Sequence, residues 1–572
     1  MDVLRTLLTA ALTCAALYGH APPTPSPVPP LQVKGNRLVD AKGQAFLLRG
    51  VGLPGWDSTP PLTYRVIRQR WNMNEVRMPL DVAAWRKDGQ TYLDRALKAV
   101  AAANAEGLIV VLAAVGDEAG GLPGPSTVSF WRAAAAAFRA SQGTIFALYH
   151  EPARRNGAGW REWRDAMQPL AAAIREAGAT QVIAAPSFQD ALGFQGFTPE
   201  FYLQDANLTY EVHPYFDTAL GDVERQANFG ALAGAFPVLA GAWGMPFGNG
   251  GSACTAIPRD LNKANDLLYQ AVLYFDSRSI SWSVSDFSPG SLLRAGDELA
   301  PTTLDSLWTC DASSDPATGI GQFILLWNTG DPAGFGSLQA SQIASAAGGF
   351  AGPVAAGEIV SIYGQGIGPE QAVSATFDAE GRLPRDLGET QVTFDGISAP
   401  LFYVGAFQVN AQVPWELAGK TSTVARLVYR GVPSNAVTLG MVAAVPDLLT
   451  APGSFQAAAV NENGTINDAL SPAPRGSIVS FFAVGLGQTV PASSTGLRAV
   501  STGSMAAPVT LRVGGVAAEI LYAGPAPGLV GVVQINVRVP DAVPLVSPVE
   551  RAGAVVSVGD IAGRQGVVFW VK

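Results

Sequence analysis

Between Phe46 and Val284 short apolar runs alternate with segments of helical period, and this alternation restricts the fold more than any other feature of the chain. Phe46–Val51 is the first expected strand. Helical Leu62–Trp71 then leads to strand Glu75–Pro79, Leu93–Glu106 to Leu108–Val115, and Val128–Ala140 to Thr144–Tyr149. The scheme continues with helix Gly159–Ala177, strands Gln181–Ala185 and Leu208–Val212, helix Val223–Ala235, strand Pro237–Gly241, helix Ala264–Asp276 and strand Ile280–Val284. Strands that are apolar along their whole length belong to a parallel sheet covered on both faces. Eight of them over about 280 residues match the count and size of a (β/α)8 TIM barrel. An open doubly wound sheet is the alternative, but no G-x-G-x-x-G follows the first strand to support it.

In such a barrel the chemistry sits where strands end. Thr144–Pro152, TIFALYHEP, joins an apolar strand directly to His150 and Glu151. A carboxylic acid there, partly desolvated and beside an imidazole, is expected to keep its proton near neutral pH and deliver it to a leaving-group oxygen. The plainer alternative is a surface glutamate capping the next helix.

The chain has 572 residues, 48% of them hydrophobic, a net charge of −9 and a pI near 5.0. An acidic balance argues against nucleic acid or an anionic membrane as partner, since both call for a basic surface. Neutral ligands remain. Arg5, the apolar stretch Leu7–Tyr18 and Gly19-His20-Ala21 read as a secretory signal peptide over residues 1–21, with a lipid anchor at Cys14 the minor alternative. No later apolar run is long enough to span a bilayer. After the signal, Cys254 and Cys310 remain, and in an oxidising compartment the pair reads as a disulfide, or else as two buried thiols. A bridge requires their Cα atoms within about 7 Å. Residues 22–30 form a Pro-rich linker and 31–312 the barrel.

Several strand ends carry a further pattern: LVDAKGQAFLLRG at Leu38–Gly50, NEVRMP at Asn74–Pro79, YHEP at Tyr149–Pro152, YEVHPY at Tyr210–Tyr215, PVLAGAWG at Pro237–Gly244, and Trp282 near the last strand's end. In this order they resemble glycoside hydrolase family 5, the cellulase-type barrels of clan A, over about half of the chain. The resemblance implies that Glu151 is the general acid/base and that Arg77 orients the nucleophile. It also implies that His150, His213, Tyr215 and Trp243 line the subsite, and that Trp282 offers its face to a pyranose. Plainer roles for three of these are a buried ion pair for Arg77, core packing for Tyr215 and a plug over the barrel for Trp282. The implied ligand is a β-glycan or oligosaccharide. No cofactor and no metal are expected.

The departures from the family are as informative. The nucleophile belongs in a Gly-Glu-aromatic-Gly pattern on the seventh strand, where this chain has Gly241-Ala242-Trp243-Gly244. A methyl group at Ala242 cannot form the covalent glycosyl-enzyme of a retaining glycosidase. His150 stands in place of the family's Asn, and the His usual after the third strand is missing from Leu112–Asp117. Asp117, Glu118 and Asp286 are candidate bases for an inverting mechanism, with Glu211 less attractive. The readings left are an active hydrolase with a relocated base and a catalytically inactive glycan-binding protein.

Residues 313–345 read as a linker packed on the barrel around the apolar patch Phe323–Trp327. From Gly348 helical periods give way to short β-branched runs separated by Gly and Pro. GEIVSIYGQGIG from Gly357 recurs as GSIVSFFAVGLG from Gly476, an offset of 119 residues, and Phe394–Tyr403 recurs as Val513–Tyr522. QVNAQVP at Gln408 returns as QINVRVP at Gln534, an offset of 126 that reflects seven inserted residues. Two tandem all-β Ig-like sandwich domains, 346–445 and 446–572, are expected. With N-A-Q-V-P-W at Asn410–Trp415, they resemble a paired C-terminal β-domain found on secreted proteins of soil bacteria. Cell-surface attachment, secretion and glycan binding are the roles that resemblance leaves open, beside a plain spacer.

Overall fold

The computed structural model describes residues 28–116, 121–152, 159–188, 193–214, 222–243, 270–288, 291–294, 297–301, 321–330, 334–451, 454–500, 502–545, 547 and 549–572. The expected signal peptide, Cys254 and Cys310 lie outside them.

A hairpin of β1 (Gln32–Lys34) and β2 (Arg37–Val39) precedes the barrel. The barrel strands are β3 (Arg49–Gly52), β4 (Glu75–Asp81), β5 (Ile109–Val115), β6 (Thr144–Ala147), β7 (Val182–Pro186), β8 (Leu208–Val212), β9 (Val238–Trp243) and β10 (Ser281–Val284). Neighbours in sequence pair in parallel, and β10 pairs with both β9 and β3, so the barrel closes. Helices α1 (Pro61–Gln69), α2 (Val82–Asp88), α3 (Gln90–Ala105), α4 (Pro125–Phe138) and α5 (Trp160–Glu176) lie between strands.

One expected helix comes out differently, and one unexpected helix is present. The helix expected at Val223–Ala235 is broken into a helical turn at Asp222–Arg225, a π-helical turn at Gln226–Gly230 and a 3-10 turn at Leu232–Gly234. Asn228 and two glycines sit in that run, and weak helix formers leave its course to tertiary contacts. Helix α2 was not expected from the sequence. It starts at Asp81, whose carboxylate accepts hydrogen bonds from the backbone N–H groups of Ala83 and Ala84, the usual way an Asp opens a helix.

The barrel interior is divided by chemistry. Ile109, Val111 and Ala113 of β5, Ile145 and Ala147 of β6, and Val182 and Ala184 of β7 form one apolar cluster, spaced two apart as residues on one face of a strand must be. Leu31 and Leu38 join the cluster from the hairpin and cover the end at which these strands begin. On β4 and β8 the same inward spacing places Glu75 and Arg77, and Glu211 and His213, inside the molecule. Gly50 and Gly241 make room for this. A Cβ at Gly50 would collide with the Glu75 carboxylate, and one at Gly241 would lie 2.5 Å from Glu211 Oε1. Within the expected linker, Gly321–Thr329 is a helix; Ile324 and Leu325 are buried, and Asn72 Nδ2 donates to the Asn328 carbonyl at 2.8 Å.

The chain divides into two compact units, with the second beginning at Phe335. It contains two repeats of paired β-sheets, each with its own apolar core. The duplication extends to strand register. Ile359 pairs with Gln412 and Tyr363 with Gln408 in the first copy; Ile478 pairs with Arg538 and Phe482 with Gln534 in the second, the same register at offsets 119 and 126. Gln408 donates to Asn410 at 2.9 Å, and Gln534 to Asn536 at 2.8 Å. The N-A-Q-V-P-W stretch joins the copies: Gln412 Oε1 accepts from Gly496 N at 2.8 Å, and Trp415 N donates to Thr495 Oγ1 at 2.9 Å. No described helix in the protein is long and apolar enough to cross a membrane.

Candidate active site

Strand β6 ends at Ala147, but its backbone pairing continues: Leu148 N donates to Ala184 O at 2.9 Å and His150 N to Ala114 O at 2.8 Å. This carries His150 and Glu151 to the C-terminal edge of β5, β6 and β7, where a barrel places its chemistry. Just beyond β5, a Cβ at Gly116 would strike the Tyr149 ring, which occupies that space. Glu151 has φ +49°, a left-handed conformation that costs a non-glycine residue of order 1–3 kcal/mol and that clusters at functional sites.

Four charged groups form a chain through the site. Arg77 Nη2 lies 2.7 Å from Glu211 Oε1; the same oxygen lies 2.6 Å from His213 Nε2; His213 Nδ1 lies 2.8 Å from Glu151 Oε1. His150 stands on the outer side, with Nε2 3.8 Å from Glu151 Oε2. Arg77, Glu211 and His213 are buried, whereas the side chains of His150 and Glu151 are 35% and 31% exposed.

This network overturns the expected state of Glu151. Its partial burial alone would raise the carboxyl pKa, but the hydrogen bond and charge of His213, with His150 and Arg77, bring it below the ordinary value. Glu151 is therefore an ionised acceptor and not a carboxyl that retains its proton near neutral pH. Burial alone would lower His213, and the hydrogen bonds to Glu151 and Glu211 reverse that, leaving it raised. Burial would likewise raise Glu211, but Arg77 and His213 hold it down at about 2. His150 falls below the usual imidazole range because of desolvation and the nearby positive charge of Arg77 and His213.

The other sequence-based assignments divide. Arg77 is paired with the buried Glu211 carboxylate, the plainer of the two roles open to it. Ala242 is buried in β9. Trp282 and Trp243 are wholly enclosed and pack edge to face with centroids 5.7 Å apart, so neither shows a face to a sugar. Both lie within strands of the barrel wall, and a stacking platform needs a ring projecting beyond it. Asp286 follows β10, on the far side of the ring of strands from β6, and burial raises its carboxyl pKa. Tyr215, Asp117 and Glu118 lie outside the described residues.

Glu75 was not singled out from the sequence, although its two-residue spacing from Arg77 on an apolar strand was a signal that both point inward. Desolvation raises its pKa to about 8, with the Ser283 hydroxyl and Arg77 opposing part of the shift. A carboxyl raised in the folded state keeps a proton that the unfolded chain releases above its ordinary value of 4.5, so stability falls as pH rises from there to about 8. Glu75→Gln should therefore match the native chain near pH 4. It should then gain on it by about 1.4 kcal/mol per pH unit across this window, read from thermal unfolding midpoints. Parallel pH profiles for the two proteins would contradict the buried protonated state.

A closed parallel barrel with ionisable groups on β4 and β8 and just beyond β6 and β8 defines the class, a (β/α)8 protein. Residues 39–289 match the family model Cellulase (glycosyl hydrolase family 5). Among solved structures, a beta-glucanase from Saccharophagus degradans in complex with cellotetraose is 21% identical, with 48% of this chain and 90% of that chain covered and a TM-score of 0.40. The catalytic domain of the Thermobifida fusca endoglucanase Cel5A is 18% identical, with coverage of 52% and 95% and a TM-score of 0.40. No curated protein matches the chain.

Proposed function

We propose that the barrel binds β-linked polysaccharide or oligosaccharide at its C-terminal mouth and does not hydrolyse it by the retaining mechanism. The observation that carries this is the methyl group at Ala242 in β9, the strand where the family pattern places its nucleophile. Without that group Glu151 has no partner for double displacement. Its own ionised state, bonded to His213 at 2.8 Å, also makes it a poor proton donor. The family match supplies the ligand class. The N-terminal segment fits export, and the β-repeats fit a role as attachment or spacer modules outside the cell.

A second reading keeps hydrolysis with inversion. Asp286 favours it, being a carboxyl raised by burial on the side of the mouth opposite Glu151. Calorimetric titration of the full chain with cello-, manno- and xylo-oligosaccharides, beside a reducing-end assay on the matching polymers, separates the two. The binding reading expects saturable heat with one sugar series and no new reducing ends. Release of product of inverted anomeric configuration, lost in Asp286→Asn, would overturn it.

A further inference from the structure

We propose that His150, Glu151 and His213 form a binding site for a divalent transition-metal cation of the zinc type, open to the barrel mouth. The inference goes beyond the glycan reading and stands or falls separately from it. One nitrogen from each imidazole and one carboxylate oxygen all lie within 4.8 Å of one another. The shortest contacts to the carboxylate are 2.8 Å from His213 Nδ1 to Oε1 and 3.8 Å from His150 Nε2 to the other oxygen, Oε2. Ligands held about 2.0–2.2 Å from a tetrahedral zinc ion lie about 3.3–3.5 Å from each other, so small side-chain rotations suffice to close the set on an ion. Two imidazoles and one carboxylate form a donor set suited to zinc, cobalt, nickel or iron rather than to calcium or magnesium, which prefer oxygen ligands.

The surroundings match what metal ligands require. A metal-binding histidine commonly gives its other ring N–H to a carboxylate, which fixes the tautomer and turns the remaining lone pair toward the ion. His213 has this arrangement: Nε2 lies 2.6 Å from Glu211, leaving Nδ1 to face Glu151. Glu211 is in turn held by Arg77 at 2.7 Å, and any side chain at position 241 would displace it. An ion that takes His213 Nδ1 displaces the proton there, and the two carboxylates and one guanidinium then leave one negative charge for the cation to offset. His150 Nδ1 is buried and has no hydrogen-bond partner, so no such bond holds that ring away from an ion at Nε2. Three protein ligands, two of them about one-third exposed, leave a position on the solvent side for water or a ligand oxygen.

The test is metal retention, which needs no sugar. The full chain, stripped with a chelator, is dialysed against micromolar Zn2+ or Co2+, and bound metal is counted by elemental analysis. The Co2+ form is also examined by visible absorption for a four- or five-coordinate spectrum. One ion per chain is expected. His150→Asn alters a partly exposed ligand and should lower affinity at least 100-fold. Glu211→Gln, acting through His213, should lower it about 10–100-fold. A variant combining His20→Ala, Cys254→Ser and Cys310→Ser removes the remaining histidine and both other post-signal candidate ligands and should bind as the native chain does. Failure of the native chain to retain an ion at micromolar metal, or unchanged affinity in a folded His150→Asn, would overturn the site. Loss of binding in the triple variant would assign the ion elsewhere. Because sugar binding is measured on the chelator-stripped protein as well, failure of the glycan reading leaves this result intact.

Discussion

Ala242→Glu should produce retaining hydrolysis of a β-glucan where the native chain is expected to show none. The substitution places a carboxylate on β9, where the family pattern has its nucleophile, and double displacement needs two carboxyl groups. It also acts on Glu151. A second negative charge nearby raises the pKa of the first, and Glu151 is held down by His213, so a like-charged neighbour moves it toward the protonated form that an acid catalyst needs. Groups that act as a unit contribute far more together than singly, so a rise of at least about 10³-fold over background is expected. Product anomers followed by NMR would show retained configuration, and a slow fluorosugar substrate would leave a covalent adduct on the residue at position 242. Metal-stripped protein is the sample to use, since an ion on Glu151 would withhold the acid. A folded variant that binds glycan yet releases no product would show that His150 and the Tyr149 ring against Gly116 have remodelled the cleft beyond this repair.

Arg77→Met should destabilise the barrel by about 3–5 kcal/mol, because it leaves the Glu211 carboxylate buried without its guanidinium. Both side chains are almost completely enclosed, at 6% and 0% exposure, so neither water nor salt can take over the partner's role. Adding Glu211→Gln to the same chain should recover most of the loss, since a neutral amide carries no uncompensated charge. Urea unfolding followed by tryptophan fluorescence would record both steps. A loss below about 1 kcal/mol for the single variant, or no recovery in the double, would mean that Arg77 and Glu211 do not depend on each other. Through Glu211, which lies 2.6 Å from His213 Nε2, the arginine also supports His213.

The sequence by itself determined the barrel and the duplication, because both are written in local patterns. Apolar runs such as Ile109–Val115 and Thr144–Ala147 can satisfy their backbone and bury both faces only in a covered parallel sheet, and the recurrence of Gly357 at Gly476 needs no coordinates. The strand end at Thr144–Pro152 pointed to Glu151, and the family resemblance pointed to His213 and to Ala242. Local reading failed wherever the answer depended on groups distant in sequence. Glu151 looked like a protonated acid because partial desolvation in a cleft raises a carboxyl pKa. Only the fold brings His213, 62 residues away, within 2.8 Å and turns it into an ionised acceptor. Trp282 looked like a sugar platform because of its place near a strand end, but contact with Trp243 across β9 and β10 encloses it. Arg77, Glu211, His213, Glu151 and His150 come from three strands and their ends, and a sequence does not record the distances among them. Charge state and ligand geometry vary over a few ångströms, and in this protein only tertiary packing set those distances.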